Sequence, residues 1–162
     1  MLEKAYYQSS LGCFEITGST KGIRTVRLSE NKECPNVPVP EILQDCVQQL
    51  DEYFNRKRKE FNLKFDWSDA PPFHAAVWEE LLKIPYGHTT SYGWIAEKLG
   101  DPKTVRAVGQ ANKNNKICII VPCHRVIAKN GDLHGYFYGL EMKRKLLELE
   151  NPMSFGEQGS LF

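Results

Sequence analysis

The sequence lacks any apolar run of about 18 residues, so it predicts no membrane-spanning helix. It has no C-x-x-C pair, and its five cysteines are an odd number, which argues against both a disulfide framework and a tetrahedral zinc site. The four histidines are widely scattered. We therefore expect reduced thiols and no metal. The first residues lack an apolar signal core, so we expect a cytoplasmic protein.

Net charge is also low, at +1 for 162 residues, but the charge is unevenly distributed. From Lys98 to Lys129 there are seven basic residues and one acidic residue, Asp101, a local balance of +6. Such a one-sided excess indicates a surface that faces phosphates. A second basic run, Arg56–Lys59, ends a predicted helix, where cations suit the helix dipole. We interpret that run as a helix cap rather than a nucleic-acid contact.

Turn residues and apolar periodicity predict a small α+β domain over residues 1–70. Its predicted elements are strands at 4–8, 13–17 and 23–28, a proline-rich connector at 34–40, an amphipathic helix from Ile42 to Phe54, and an alternating strand at 61–65. We find no motif for chemistry in this part. Asp66–Pro72 has the composition of a domain boundary.

Residues 71–152 are predicted to form a mainly helical domain, followed by a tail over residues 153–162. The expected elements are helices near 72–83, 91–99, 102–112 and 140–149, a strand at 117–121 and a turn at 129–132. Asp101 and Pro102 are an N-cap and a first helical residue. Because Leu99-Gly100-Asp101 forms a tight corner between two short helices, this domain is predicted to be a winged-helix or helix-turn-helix domain.

The run Ile117–Val126 carries the strongest chemical signal. Its apolar residues end at Pro122, and Cys123 and His124 follow. A thiol beside histidine and arginine has the composition that lowers a thiol pKa and exposes a thiolate nucleophile. A buried structural cysteine followed by a surface His-Arg pair is the alternative, and this run alone does not decide between them.

The helix that Asp101 and Pro102 open shows small side chains and one arginine near its start. These residues are Thr104, Val105, Arg106, Ala107 and Gly109. Helices that recognise an operator usually show several base-reading side chains in their first turns. Small side chains allow close approach to a groove without reading sequence, which suits binding to DNA damage. An ordinary helix whose small residues pack tightly is the alternative.

Several motifs at this spacing resemble those of the 6-O-alkylguanine-DNA alkyltransferases. They are Pro-Tyr-Gly at 85–87, Ser-Tyr-Gly at 91–93, Arg-Ala-Val-Gly at 106–109, Asn-Asn-Lys at 114–116 and Pro-Cys-His-Arg-Val at 122–126. The resemblance implies a ribonuclease-H-like first domain and a DNA-binding second domain. It also implies a protein that flips 6-O-methylguanine, and less efficiently 4-O-methylthymine, out of duplex DNA. The alkyl group would pass irreversibly to Cys123, once per chain and with no cofactor.

The resemblance assigns catalytic roles to Cys123, His124, Glu150 and Tyr92. His124 would act on Cys123 through a water, because neighbouring side chains on an extended segment point apart. Glu150 would orient His124, although its place at a helix end by itself suggests a solvated acid, and Glu148 is the fallback. Tyr92 would push on the target phosphate and donate to the flipped guanine.

We expect a substrate pocket and a DNA-contacting surface around these residues. The pocket residues are Asn115, Pro122, Val126, Tyr136, Phe137, Tyr138 and Lys143. The DNA contacts are Arg106, Thr104, Val105, Ala107, Gly109, Arg125 and Lys129, with Arg106 filling the gap that the flipped nucleotide leaves. Phe137 and Tyr138 stand where relatives have small residues, which predicts a narrower pocket that accepts methyl more readily than benzyl groups. The expected partner is double-stranded DNA with alkylated guanine, and the expected state is a monomer.

Two other classes of function remain as alternatives. A winged-helix regulator could sense redox state or alkylation through Cys123, but it requires a base-reading helix and, for redox sensing, a resolving cysteine. A cysteine hydrolase would need an oxyanion hole and would turn over repeatedly.

Overall fold

A computed structural model of the chain describes residues 1–31, 33–128 and 136–155. The chain folds into two compact units. The first, here the sheet unit, contains Met1–Ser68 and Lys116–Ile120. The second, the helical unit, contains Asp69–Asn115 and the chain from Val121 onward. Over the described ranges, no helix is both long and apolar enough to cross a membrane.

The sheet unit is built on three antiparallel strands in the order β1-β2-β3. The strands are β1 (Glu3–Ser9), β2 (Gly12–Ser19) and β3 (Gly22–Leu28). Ile16 lies opposite Ala5 on one side and Val26 on the other, and all three are fully buried. Gly22 opens β3 with φ at 132°, and a Cβ there would lie 2.7 Å from the Lys64 carbonyl oxygen. Only glycine fits this turn.

The helix of the sheet unit begins later than its apolar pattern predicts. A 3-10 turn (Glu41–Leu43) precedes α1 (Gln44–Phe54), whose buried residues include Cys46, Leu50 and Tyr53. Ile42 is 38% exposed and so lies outside the buried stripe. Burial of an apolar stripe, rather than helix propensity, accounts for most of the stability of such a helix.

The strand predicted at 61–65 is reduced to one parallel bridge between Phe65 and Ile23. Ile23 donates a backbone hydrogen bond to Lys64 and accepts one from Asp66. The Asp66 carboxylate then accepts from the Ser68 amide at 3.1 Å and ends the extended segment. A side-chain turn of this kind competes with a sheet ladder for backbone groups.

The expectation of reduced thiols is wrong for two cysteines. Cys13 in β2 and Cys34 in the proline-rich connector form a disulfide, with Cα atoms 5.2 Å apart and a sequence separation of 21. Cys46, Cys118 and Cys123 are free and buried. An odd cysteine count excluded a complete set of pairs but not a single pair, which only the fold could bring together.

The strand predicted at 117–121 is also largely absent. Ile117 makes a parallel bridge to Val26, and the chain then turns. The Cys118 carbonyl accepts from the Ile120 amide at 2.8 Å, and φ of Ile119 between them is 70°. A β-branched residue rarely adopts positive φ, so this buried turn is strained. The turn consumes the backbone groups that a longer ladder would need.

The helical unit consists of short helices and one two-stranded parallel ladder. Its elements are α2 (Pro72–Leu81), β4 (Thr90–Ser91), α3 (Tyr92–Lys98), a 3-10 turn (Pro102–Thr104), α4 (Val105–Lys113), a 3-10 turn (Cys123–Arg125), β5 (Val126–Ile127), α5 (Leu140–Glu150) and α6 (Pro152–Phe155). β4 pairs with β5 through Thr90–Val126 and Ser91–Ile127. The turn expected at 129–132 lies outside the described residues.

The corner between α3 and α4 follows from its predicted capping residues. Ser91 caps α3 by accepting from the Trp94 amide at 3.1 Å. Gly100 has φ at 95°, and the Asp101 carboxylate accepts from the Lys103 amide at 2.9 Å. The helix predicted at 102–112 therefore begins as a 3-10 turn and continues as α4, because Pro102 fixes the first turn.

Candidate active site

Cys123 is presented by a tight turn at the end of the Ile117–Val126 run. Pro122 has φ and ψ of −81° and 65°, and the Cys123 amide donates to the Val121 carbonyl at 2.8 Å. These values define an inverse γ-turn. The Asn115 side-chain amide donates to the same carbonyl at 2.8 Å. The main chain on the N-terminal side of the thiol is therefore fixed.

Two contacts that the sequence analysis missed hold the end of α4 beside this turn. The Asn112 side chain donates to the Cys123 carbonyl at 3.3 Å, and the Trp78 indole donates to the Ala111 carbonyl at 2.9 Å. Asn112 is 2% exposed, and its Oδ1 has no hydrogen-bond partner among the described residues. The available signal was weak: an asparagine in the last turn of a predicted helix, where that residue is usually solvated.

His124 and Glu150 form a buried pair. His124 Nε2 lies 2.6 Å from Glu150 Oε2, and neither side chain is more than 1% exposed. Arg125 donates to both oxygens of the same carboxylate, at 2.8 and 3.1 Å, and to the Ile84 carbonyl at 2.7 Å. His124 Nδ1 has no partner within the described parts of the chain. Glu150 is thus buried. The family resemblance implies this burial, whereas its position at a helix end suggested a solvated acid.

The protonation states of this pair follow from burial and from Arg125. Burial lowers the pKa of His124, although Glu150 opposes this effect, so the imidazole is neutral. Burial would raise the pKa of the Glu150 carboxyl, but His124 and Arg125 outweigh burial and hold the pKa well below its usual range. The ionised carboxylate accepts the Nε2 proton. His124 Nδ1 is then an unprotonated base in the interior of the unit.

The thiol of Cys123 differs from the sequence-based expectation. Burial raises the pKa of Cys123, and this effect exceeds the opposing effects of the Asn115 side chain and the Lys143 charge. Arg125, the nearest cation in the sequence, does not lower the pKa of Cys123, because its guanidinium is bound to Glu150. The resting group is a buried thiol, 5% exposed, rather than an open thiolate. It requires a base at the moment of reaction.

Tyr92 and Lys143 both interact electrostatically with Cys123. Burial, with a smaller contribution from Cys123, raises the pKa of Tyr92 to about 12. Burial lowers the pKa of Lys143 to about 8, whereas Cys123 acts to raise it. Lys143 is fully buried, donates to the Val126 carbonyl and lies 5.9 Å from the Tyr92 ring centroid. The unit therefore holds two proton donors, a phenol and an ammonium, beside the thiol.

The predicted pocket residues differ widely in exposure. Pro122 and Val126 are buried, and Tyr136 is 6% exposed. Tyr138 is half-buried and packs edge-on against both neighbouring aromatic rings, at 6.0 Å from Tyr136 and 5.0 Å from Phe137. Phe137 is 66% exposed. Tyr136 therefore lies in the interior, Tyr138 lies at its edge, and Phe137 faces solvent.

The residues predicted to contact DNA lie mostly at the start of α4 and in the turn before it. Val105, Arg106 and Ala107 are exposed, and Thr104 and Gly109 are half-buried. A Cβ added at Gly109 would meet nothing within 4 Å, so no contact inside the described parts of the protein requires glycine there.

Of the remaining two predicted DNA contacts, one is buried and the other is not described. Arg125 is a correction: its guanidinium is 7% exposed and is bound to Glu150 and Ile84, so it is not available to a phosphate. A charge in the interior must be paired, and the Glu150 carboxylate is its partner. Lys129 lies outside the described residues.

Together the fold and the site define a two-unit protein in which a thiol follows two short helices joined by a capped corner and directly precedes, in sequence, the histidine of a buried imidazole–carboxylate pair. Residues 2–67 match the family described as "6-O-methylguanine DNA methyltransferase, ribonuclease-like domain", and residues 72–152 match its "DNA binding domain". The chain belongs to the 6-O-methylguanine DNA methyltransferase family, which confirms the resemblance seen in the sequence.

Individual relatives agree with this assignment. The methylated-DNA–protein-cysteine methyltransferase of Methanosarcina acetivorans is 41% identical over 151 residues, 90% of this chain and 96% of the relative. The crystal structure of Mycobacterium tuberculosis O6-methylguanine methyltransferase has a TM-score of 0.82 at 40% identity, with 94% of each chain covered. The Mycobacterium tuberculosis protein in complex with DNA has a TM-score of 0.81 at 41% identity, with 91% of each chain covered.

Proposed function

We propose that this protein repairs alkylated DNA by moving the alkyl group of 6-O-methylguanine irreversibly onto its own Cys123. Membership of the methyltransferase family supports this function. The observation that carries the chemistry is the fully buried His124, whose Nε2 is engaged by Glu150 and whose Nδ1 remains a base. A buried thiol of raised pKa needs such a base, and the chain places one at the next residue.

The reaction is a displacement at a saturated carbon. Cys123 Sγ forms a bond to the alkyl carbon as the bond from that carbon to guanine O6 breaks, and the electron pair stays on guanine. His124 accepts the thiol proton, through a bridging water, while Glu150 and Arg125 stabilise the charge that develops on the imidazole. The departing guanine takes up one proton, so charge balances. The product is a thioether, which water does not cleave, so each chain reacts once.

Tyr92 and Lys143 would neutralise the departing guanine. Both are proton donors close enough to feel the charge of Cys123. A donor held in a dry site stabilises developing charge far better than one in water, because it need not reorganise. The lowered pKa of Lys143, about 8, also suits it to give up a proton near neutral pH.

DNA would bind along α4, with Arg106 entering the stack where the target nucleotide has left. Flipping a nucleotide costs a few kcal/mol, least for a damaged pair, and an inserted side chain recovers part of that cost. The small exposed residues Ala107 and Gly109 would let the helix approach the groove. The partner is then double-stranded DNA, and the Mycobacterium tuberculosis relative is itself known in complex with DNA. 4-O-methylthymine would be a poorer substrate, and a monomer would suffice.

We also propose finer assignments for the architecture. Residues 1–70 would be a reduced ribonuclease-H-like domain, in which α1 packs on the three-stranded sheet. Residues 71–152 would be the winged-helix catalytic domain, and 153–162 a tail. The β4–β5 ladder beside the α3–α4 corner supports the winged-helix assignment. A cytoplasmic location belongs to the same proposal, since the substrate is cellular DNA.

The regulator and hydrolase alternatives are not favoured. Family membership points to alkyl transfer rather than to either of them.

The test is transfer of isotopically labelled methyl from duplex DNA containing 6-O-methylguanine. We expect label to move to the protein, to saturate near one per chain and to be absent in Cys123→Ser. Cys118→Ala removes another buried free thiol and should transfer normally. Transfer that continues beyond one per chain, or that persists in Cys123→Ser, would overturn the proposal.

A further inference from the structure

We propose that Asn112 is a positioning residue for the nucleophile, joining the DNA-contacting helix α4 to the main chain of Cys123. This inference rests on the proposed function, and it concerns how the thiol is aimed rather than how it is ionised. Asn112 sits in the last turn of α4, and its Nδ2 donates to the Cys123 carbonyl at 3.3 Å.

The burial of Asn112 indicates that this contact is specific. The residue is 2% exposed, and its Oδ1 is buried with no hydrogen-bond partner among the residues described. Burying an amide with one unsatisfied atom destabilises the fold, and an apolar side chain in a helix interior would avoid that cost. A single hydrogen bond to a carbonyl offsets such a cost only in part. The arrangement is therefore unfavourable for stability alone.

The neighbours of Asn112 show what it connects. Ala111, the preceding residue, is held by the Trp78 indole, so the C-terminal end of α4 is anchored to α2. The opposite face of α4 carries the exposed Arg106. Asn115 fixes the Val121 carbonyl before the thiol, and Asn112 fixes the Cys123 carbonyl itself. Two amides thus bracket the nucleophile, and the one from Asn112 comes directly from the proposed DNA-contacting helix.

Because the contact is to main chain, Asn112 should affect the rate of transfer and neither DNA affinity nor thiol ionisation. In Asn112→Leu we expect the single-turnover rate at saturating methylated duplex to fall about tenfold, since small misplacements of a reacting group have effects of this size or larger. We expect the Kd for the same duplex, measured in the Cys123→Ser background, to change less than about twofold. Asn114→Leu, at the exposed C-cap of α4, is the matched control and should match wild type.

A second variant separates positioning from packing. Asn112→Asp keeps the shape but removes the donor while ionised; once protonated, its hydroxyl can donate to the Cys123 carbonyl. Burial raises the pKa of an aspartate. The rate of Asn112→Asp relative to wild type should therefore recover as pH falls from about 8 to about 5, whereas the ratio for Asn112→Leu stays flat. Titrations of Cys123, His124 and Glu150 are common to wild type and Asn112→Leu and therefore cancel in that ratio.

The outcomes are distinguishable. Absence of transfer by the wild-type protein would contradict the proposed function itself. Normal wild-type transfer, with Asn112→Leu as fast as wild type or impaired only in Kd, would overturn the positioning role. Should Asn112→Leu fail to fold by circular dichroism, Asn112→Asp decides alone, and a pH-independent ratio would then contradict the inference.

Discussion

The two units of this protein bury very different side chains. The interior of the sheet unit is apolar, and the buried polar residues in its described part, Gln49 and Asp66, lie near the surface at 8% exposure and have local partners. The helical unit instead buries an imidazole, a guanidinium, an ammonium and a carboxylate: His124, Arg125, Lys143 and Glu150.

Burying charged groups costs desolvation energy even when they are paired, so the buried charges of the helical unit contribute little net stability. The sheet unit is additionally cross-linked by the Cys13–Cys34 disulfide. The unit that buries charged side chains is therefore also the unit that contains the candidate nucleophile Cys123. Changes in the helical unit should therefore affect activity, and changes in the sheet unit should affect stability alone.

The largest effect should come from Glu150→Gln. Leaving Arg125 buried without its carboxylate should lower the free energy of unfolding by about 3–5 kcal/mol, and methyl transfer should fall at least about 100-fold as His124 loses its orienting partner. Glu148→Gln is the matched control: its pair with Arg144 is half-exposed, and its loss should cost no more than about 0.5 kcal/mol. Urea unfolding and single-turnover transfer measure the two effects.

The same variant has a defined pH dependence. Because the pKa of Glu150 is lowered in the folded protein, the unfolded chain binds its proton first as pH falls. The stabilisation from Glu150 is thus present above the usual carboxyl pKa, about 4, and is lost below it. The difference in unfolding free energy between wild type and Glu150→Gln should shrink between about pH 5 and pH 2. A constant difference would show that Glu150 is not ionised in the folded state.

Breaking the disulfide should destabilise the sheet unit and leave the chemistry unchanged. For a loop of 21 residues, the constraint on the unfolded chain corresponds to about 3 kcal/mol. Cys34→Ser should lose this stability and show no further loss when a reductant is added, whereas the wild type should lose it only on reduction. Methyl transfer below the unfolding transition should stay within about twofold of wild type. Slower transfer by folded Cys34→Ser would contradict the division of roles, in which the sheet unit affects stability and the helical unit affects activity.

Removing the half-buried Tyr138 should widen the range of alkyl groups without affecting methyl transfer. We expect Tyr138→Gly to react about tenfold faster with 6-O-benzylguanine, since discrimination on substrate size is usually about 10-fold to 200-fold. Phe137→Ser, at a position that is 66% exposed, should change this rate little. The proposed narrow pocket would be wrong if the wild-type protein reacted with the benzyl compound as fast as with methylated DNA.

The smallest effect should be a gain in stability from Gly109→Ala. The position is helical and open, so alanine should raise the free energy of unfolding by about 0.5–1 kcal/mol. The added methyl group on the proposed DNA-contacting surface should weaken duplex binding a few-fold and leave reaction with the free base 6-O-methylguanine unchanged. Gly100→Ala provides the contrast, because φ at 95° makes alanine there destabilising. Undiminished DNA affinity in Gly109→Ala would place the DNA surface elsewhere.

Local sequence rules predicted much of the secondary structure. The three strands of the sheet and the capped corner around Asp101 lie where turn residues and capping chemistry place them. The predictions of strands at 61–65 and 117–121 were wrong, because each segment forms only one bridge. Their apolar patterns are those of strands, but strand formation also needs a neighbour with free backbone groups, and turns at Ser68 and Ile119 interrupt both ladders.

The site was predictable to the extent that its residues are adjacent in sequence. The thiol and imidazole of Cys123 and His124 could be picked out from one short run, whereas Glu150 was assigned through family resemblance alone. Asn112 was missed because its partner is a main-chain carbonyl 11 residues away, and no side-chain pattern encodes such a contact.

The sequence by itself pointed to Cys123 as the candidate nucleophile, located the two short helices around the Asp101 corner and indicated which family the motifs resemble, because each depends on short-range spacing. Only the tertiary structure decided that Arg125 faces Glu150 rather than DNA, that Cys13 meets Cys34 and that the pKa of Cys123 is raised. Desolvation and charge pairing depend on every group packed around a side chain. Those groups come from distant parts of the chain, so their effect is settled only when the chain has folded.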